Sequence, residues 1–172
     1  MNYYTGIGSR ETPPYIQGMM TGIAQILSDA DYVLRSGGAD GADTAFEVGV
    51  TNEDKKEIYL PWKNFNNNKS KRYGVCSQAL IMAKHYHPNW HACSQYARKF
   101  HARNCYQILG RDLHTPSKFV VCWTPEGKVT GGTGQALRIA LDLDIPIINF
   151  GEFANPMDAV TLIRSIAEGV TT

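Results

Sequence analysis

The residues best suited to chemistry lie in three glycine-rich segments, each at or beyond the end of a stretch that is predicted to be a β-strand. The segments are 5–10 (TGIGSR), 36–43 (SGGADGAD) and 130–135 (TGGTGQ). Glycine lets backbone amides approach an anion closely, while serine and arginine add a hydroxyl and a guanidinium. With an arginine from a later helix, the residues predicted to bind phosphate are Gly8, Ser9, Arg10, Ser36, Gly37, Gly38, Arg103, Gly131, Gly132, Thr133 and Gly134.

Carboxylates in and after the second segment are the candidates for catalysis. Asp40, Asp43 and Glu47 could assist the cleavage of an N-glycosidic bond, which needs an acid near the ribose or an activated water. Asp43 also has a structural interpretation, because it stands where a helix is predicted to begin and could cap it. Both interpretations stand at this stage.

Charge is distributed unevenly along the chain. Residues 58–111 contain no acidic residue, nine of the 17 basic residues and half of the aromatic ones, so this window has a charge near +9 and the remainder near −8. Cations neutralise a nucleic-acid backbone and aromatic rings stack on bases. The window therefore favours a nucleotide or single-stranded nucleic acid as partner, with core packing and a solvated face as the alternative. Trp123, at the end of a predicted strand, is a candidate for base stacking, although a core position would also explain it.

No cofactor or metal is predicted. The first segment reads GIGSRE and not GxGxxG, and GxxxxGK[ST] is missing, which disfavours a standard NAD enzyme or ATPase. His85, His87, His91 and Cys93 are close in sequence, but their spacing matches no common zinc pattern. Pro88 also interrupts any helix that would align them.

Strands and helices alternate along the chain. Glycine and proline positions and hydrophobic spacing predict strands at 3–6, 32–36, 57–60, 119–123 and 145–150. They predict that a helix opens at Thr12-Pro13-Pro14 and runs to about Ser28, and that further helices lie at 42–50, 77–85, 94–109 and 156–167. Another helix is predicted to follow the glycine-rich residues 127–134 and to end at about Leu143, and a polar loop is predicted at 61–75. This order requires right-handed crossovers and parallel strands. The fold class expected is α/β: a single Rossmann-like, doubly wound domain over 1–172, with a mainly parallel sheet and helices on both faces.

Composition predicts a cytoplasmic protein that does not enter a membrane. The chain is 43% hydrophobic, and no stretch approaches the roughly 18 apolar residues of a membrane helix. Its first residues, MNYY, do not have the basic start of a secretory signal. The four cysteines are therefore expected to be free thiols in a reducing compartment.

Several of these motifs, taken in order, resemble one known family. GSR at 8–10, SGGADGAD at 36–43, KFHARN at 99–104 and GGTGQA at 131–136 are similar to the Smf/DNA-processing-protein-A branch of the SLOG superfamily. That resemblance implies a Rossmann-like domain, frequent dimers or higher homo-oligomers, and binding of nucleotides or single-stranded DNA. A compact, phage-like member is the version that this chain resembles.

The departures from the family pattern concern catalysis. Glu47 stands where the recombination mediators usually have histidine. A second branch, the lonely-guy phosphoribohydrolases, hydrolyses nucleoside monophosphates with a PGGxGTxxE motif, but Thr130, Gln135 and Arg138 here replace its proline, threonine and catalytic glutamate. An N-glycosidase acting on nucleoside monophosphates and a non-catalytic binder of a signalling nucleotide are the alternatives to the binding of DNA.

Overall fold

The protein is represented by a computed structural model that describes residues 1–169. Within these residues, six strands form one sheet with the order β4-β3-β2-β1-β5-β6, and every neighbouring pair is parallel. The strands are β1 Asn2–Gly6, β2 Tyr32–Ser36, β3 Lys56–Leu60, β4 Arg72–Tyr73, β5 Val120–Cys122 and β6 Ile147–Asn149. The predicted α/β class with a parallel, Rossmann-like sheet is confirmed.

In the part of the chain that the structure describes, six helices cover the two faces of the sheet. They are α1 Pro14–Asp29, α2 Ala42–Gly49, α3 Ser77–Tyr86, α4 Gln95–Leu109, α5 Gly131–Asp142 and α6 Pro156–Ala167. Helices α1, α2 and α6 share one hydrophobic core with the sheet, and α3, α4 and α5 share the other. Strand β5 shows the alternation that this requires, because Val121 packs into the first core while Val120 and Cys122 pack into the second.

The strand order reverses next to β1. From β1 the chain proceeds outward through β2, β3 and β4 on one side and later through β5 and β6 on the other. Open parallel sheets bind ligands in the crevice beyond the carboxyl ends of the strands at such a point. Here the crevice lies between the turn after Gly6 and the turn after Cys122, where Ser9 N–H donates to the carbonyl of Trp123 at 3.1 Å.

The region between β3 and α3 differs from the prediction. The expected loop at 61–75 contains a short 3-10 turn at Phe65–Asn67 and the edge strand β4, which pairs with Tyr59 and Leu60. A two-residue strand is too short to show hydrophobic alternation, so no sequence pattern could indicate it. Within residues 1–169, no helix has both the length and the apolar character needed to cross a membrane.

Candidate functional site

A cavity of about 670 Å³ opens at the β1/β5 crevice. Its walls are the turn after β1, the start of α2, one face of α4, the segment after β5 and the N-terminus of α5. The predicted site residues that line it are Gly8, Ser9, Arg10, Asp43, Arg103, Gly131, Gly132 and Thr133. The fold thus brings the first and third glycine-rich segments, which are about 120 residues apart in sequence, onto one cavity.

The first segment is held tightly against its neighbours. A Cβ at Gly8 would lie 2.7 Å from the Cβ of Ala42 and 3.0 Å from the Trp123 carbonyl oxygen, so only glycine lets this turn approach α2 and β5. The Ser9 Oγ accepts a hydrogen bond from Glu11 N–H at 3.0 Å and keeps its own proton for a ligand. Arg10 is exposed, and its side chain forms no hydrogen bond or ion pair within residues 1–169.

The N-terminus of α5 presents open backbone amides. Thr130 precedes the helix and makes no side-chain cap, and the first amide bonded back into the turn is that of Gly134, which donates to the Thr130 carbonyl at 2.9 Å. The amides of Gly131, Gly132 and Thr133 precede it and have no intrahelical partner. A Cβ at Gly131 or Gly132 would meet no atom within 4 Å, so this end of the helix faces open space. Such an end attracts anions through its amides and its dipole.

The second segment divides between two places. Gly38, Asp40 and Glu47 line a separate, shallower depression beside Asn66 and Asn68. Asn66 donates from Nδ2 to the Asp40 carboxylate at 2.9 Å, and Asn68 donates from Nδ2 to the Glu47 carboxylate at 2.9 Å. Of the three carboxylates predicted to be catalytic, only Asp43 therefore lines the main cavity.

Two residues that were predicted to bind phosphate are enclosed beneath the cavity. Ser36 is fully buried and donates from Oγ to the Gly6 carbonyl at 2.7 Å, which joins the ends of β1 and β2. Gly37 accepts a hydrogen bond from Arg103 Nη1, and a Cβ there would collide with Arg103 and Gln107. Neither residue lines the cavity.

Arg103 links the cavity wall to these strand ends. Its Nη1 donates to the carbonyls of Gly37 and Tyr59, and its Nε donates to Asn104 Oδ1 at 3.0 Å. The remaining nitrogen, Nη2, forms no hydrogen bond with any of the described residues. Asn104 in turn donates from Nδ2 to the Gly132 carbonyl at 2.9 Å, so α4 holds the start of α5 in place.

Two buried side chains of opposite charge influence the electrostatics of the cavity. Asp43 and Arg103 are 4% and 5% exposed. Burial raises the pKa of Asp43 to about 6, although the charge of Arg103 and backbone N–H groups, including that of Ala39, act in the opposite direction. Burial also lowers the pKa of Arg103 to about 10, so it stays cationic near neutral pH. Exposed Arg10 and Glu11 line the same cavity, so two arginine side chains and two carboxyl groups border it.

Aromatic residues of α4 form another wall. Phe100 lines the cavity and packs edge-on against Trp62 and Phe65, with ring centroids 5.1 Å and 5.2 Å away. His101 also lines the cavity, and burial, followed by nearby cationic groups, lowers its pKa to about 4. Tyr96, one turn earlier than Phe100, is 68% exposed. The predicted stacking residue Trp123 does not line this cavity and packs against the first core instead.

The basic and aromatic window is partly core and partly surface. Seven of its nine basic residues are exposed, whereas Arg98 is half-buried and Arg103 is buried. Tyr59, Trp90 and Tyr106 belong to the second core. Phe100, His101 and Asn104 were not predicted as site residues, although all three lie in the KFHARN motif at 99–104.

The sheet order, the two helical layers and the cavity at the strand reversal define the chain as a Rossmann-like α/β protein. Among solved structures, it is similar to DNA processing protein A from Helicobacter pylori, with a TM-score of 0.57 and 18% sequence identity over 99% of this chain and 74% of that chain. That structure concerns the mode in which the Helicobacter pylori protein binds single-stranded DNA. At this identity the likeness establishes the fold. No protein-family profile matches the chain, and a comparison with curated protein sequences finds no match either.

Proposed function

We propose that this protein binds single-stranded nucleic acid or a nucleotide, with a phosphate group held in the β1/β5 cavity. The observation that carries the proposal is the convergence of Ser9, Arg10 and the open amides of α5 on one cavity. A neighbour of like fold, the Helicobacter pylori protein, binds single-stranded DNA. The alternating basic and aromatic residues of the wall suit the same class of ligand.

The predicted site residues divide into those that contact phosphate and those that support them. Backbone amides of Gly131, Gly132 and Thr133 donate to phosphate oxygens, as at other helix N-termini that bind anions. Ser9 adds its hydroxyl, and Arg10 and Nη2 of Arg103 add charge-assisted hydrogen bonds. Gly8, Ser36, Gly37, Gly38 and Gly134 support the turns, because their positions are set by close backbone packing or by hydrogen bonds within the fold.

Bases of a single strand have a surface to stack on beside the phosphate. Phe100 lines the cavity, and Tyr96 lies one helical turn away with most of its ring exposed. Lys99, between them in sequence, is exposed and adds positive charge. Base–aromatic stacking contributes about 1–3 kcal/mol per base and tolerates any sequence. The protein is therefore proposed to bind single strands with little base preference.

Fluorescence anisotropy of a labelled oligothymidylate tests this proposal. Binding is measured at several salt concentrations, with a duplex of matched length as competitor. We expect single-strand binding whose affinity falls steeply with salt, because phosphate contacts release counterions. Tyr96→Ala should weaken binding about tenfold, whereas Tyr15→Ala, an equally exposed tyrosine on α1, should not. The absence of binding, or binding that does not respond to salt, would contradict the proposal.

One observation favours a second candidate, an N-glycosidase acting on a nucleoside monophosphate. Asp43 lines the cavity with a pKa of about 6, which places it near the value that suits a general acid or base at neutral pH. Incubation with a panel of monophosphates, followed by chromatography for free base, tests this activity. Release of base by the wild type and not by Asp43→Asn would establish it. Mass spectrometry of any nucleotide that co-purifies without being cleaved tests the third role, sequestration of a signalling nucleotide.

The proposal also includes a cytoplasmic location and a homodimer or higher homo-oligomer. All four cysteines are free, which suits a reducing compartment. Sedimentation equilibrium at micromolar concentrations tests the oligomeric state, with and without the oligonucleotide.

A further inference from the structure

Three side chains with metal-binding chemistry meet beside the cavity. His87 follows α3, Cys93 follows the 3-10 turn Trp90–Ala92, and His101 lies on α4. One ligand atom from each lies within 4.8 Å of the others. The Cys93 sulfur is 3.7 Å and 3.8 Å from the two ring nitrogens of His87, and the rings of His87 and His101 have centroids 4.3 Å apart.

The separation of Cys93 and His87 is close to that in a zinc site. Zinc bonds of about 2.3 Å to sulfur and about 2.0 Å to nitrogen place two tetrahedral ligands about 3.6 Å apart. The distance between the Cys93 sulfur and the His87 nitrogens already has this size, and the ligand atom of His101 lies within 4.8 Å of theirs. In the absence of metal, His87 Nδ1 accepts a hydrogen bond from Asn89 N–H at 3.1 Å, and a metal bond would replace it.

A second observation concerns the hydrogen bonding of His101. Nδ1 of His101 is buried and forms no hydrogen bond with any of the described residues. Buried polar atoms in folded proteins nearly always have a partner, and an orphan needs an explanation such as an ion. The neighbouring cation, Arg138, is occupied elsewhere, because it donates to the Tyr86 carbonyl at 2.9 Å and to Gln135 at 2.7 Å.

We propose that His87, Cys93 and His101 bind one zinc ion, with the fourth coordination position open to water. Two imidazoles and a thiolate favour zinc over magnesium or calcium, which prefer oxygen ligands. The cysteine loses its proton to solvent when the ion binds, and no redox change is involved. This inference does not depend on the proposed binding of nucleic acid.

The sequence does not indicate this set of ligands. His85 and His91 are close to Cys93 in sequence, but both are exposed and lie outside the cluster. His101 joins it because α4 packs against α3. The ion would fasten the α3–α4 connection to α4, and through His101 it would stand next to the phosphate cavity.

Metal content and cobalt spectroscopy test the site on the full chain after removal of any affinity tag. We expect about one zinc per chain by mass spectrometry, and with Co²⁺ we expect a sulfur-to-metal charge-transfer band together with intense visible bands of four-coordinate cobalt. Cys93→Ser should lose the charge-transfer band and weaken metal affinity by about 100-fold or more, because second-shell changes alone cost 10–100-fold. Cys76→Ser, at an exposed free cysteine, should retain both.

A folding control and a second variant accompany the metal measurements. Circular dichroism in chelator establishes that Cys93→Ser is folded, and His87→Asn, at another half-buried ligand, gives a second variant if it is not. The proposal is overturned if the wild type binds neither zinc nor cobalt. It is equally overturned if Cys93→Ser and His87→Asn bind as tightly as the wild type, or if Cys76→Ser loses the metal as they do.

Discussion

Removing the Arg10 side chain isolates one phosphate contact with little effect on folding. Arg10 lines the cavity, is exposed and forms no side-chain hydrogen bond or ion pair within residues 1–169, so Arg10→Ala breaks no internal interaction. Each phosphate contact with a single strand contributes about 0.7 to the slope of log K against log salt. One contact therefore changes affinity about fivefold for a tenfold change in salt, which corresponds to about 1 kcal/mol.

The assay is anisotropy of a labelled oligothymidylate over a salt series. Arg10→Ala should bind about fivefold more weakly at low salt and have a slope smaller by about 0.7, and Arg10→Glu should have a larger loss. Arg164→Ala is the matched control, because Arg164 is an exposed arginine on α6 that does not line the cavity. An unchanged slope for Arg10→Ala, or an equal loss for Arg164→Ala, would refute the placement of phosphate in this cavity.

Three further predictions concern other residues. Since the Asp43 carboxylate protonates with a pKa of about 6, it repels phosphate less at pH 6 than at pH 8. If the pKa of Asp43 rises by one unit on binding, the affinity for oligothymidylate should rise about fivefold from pH 8 to pH 6, and Asp43→Asn should abolish this rise. A Cβ at Gly132 would meet no atom within 4 Å, and Gly132 lines the cavity, so Gly132→Val should weaken binding at least tenfold with an unchanged melting temperature. Gly18→Val, on the exposed surface of α1, should bind normally. Arg35→Met breaks the ion pair between buried Arg35 and half-buried Glu57, whose atoms are 3.0 Å apart, and should lower the free energy of unfolding in urea by about 3 kcal/mol. A loss below about 1 kcal/mol would contradict this.

The arrangement of strands could be predicted because its signals are local. Strand β2 and helix α6 have the predicted bounds, since glycine, proline and asparagine mark their ends. The meeting of the first and third glycine-rich segments follows from parallel topology alone, because all strands end at the same edge of the sheet. Edge strand β4 was not predicted, because two residues are too few to show a hydrophobic alternation.

The division of the second segment could not be predicted from sequence. Asn66 and Asn68 come back over Gly38, Asp40 and Glu47 and bind both carboxylates, which separates them from the cavity. These contacts join residues about 20 to 30 positions apart across an irregular turn, where neither periodicity nor a motif indicates proximity. The contacts of Asn66 and Asn68 therefore depend on the tertiary fold.

The role of Arg103 could not be predicted from the sequence either. Its charge and motif predicted a phosphate ligand, but most of its donors hold the carbonyls of Gly37 and Tyr59 and the side chain of Asn104. A sequence indicates that a guanidinium is present, but the partners of a buried one depend on tertiary contacts. Charge reversal at Arg103 would therefore test folding more than binding, which is why Arg10 is the better probe.

Backbone amide chemical shifts in ¹⁵N-labelled protein, titrated with a short unlabelled oligothymidylate, are the sharpest test of phosphate binding in the β1/β5 cavity. We expect the largest shifts at Ser9, Gly131, Gly132 and Thr133, which line the cavity. Amides of the depression around Asp40 and Glu47 should stay nearly unchanged. Shifts concentrated in that depression, or none at the start of α5, would contradict binding of phosphate in this cavity.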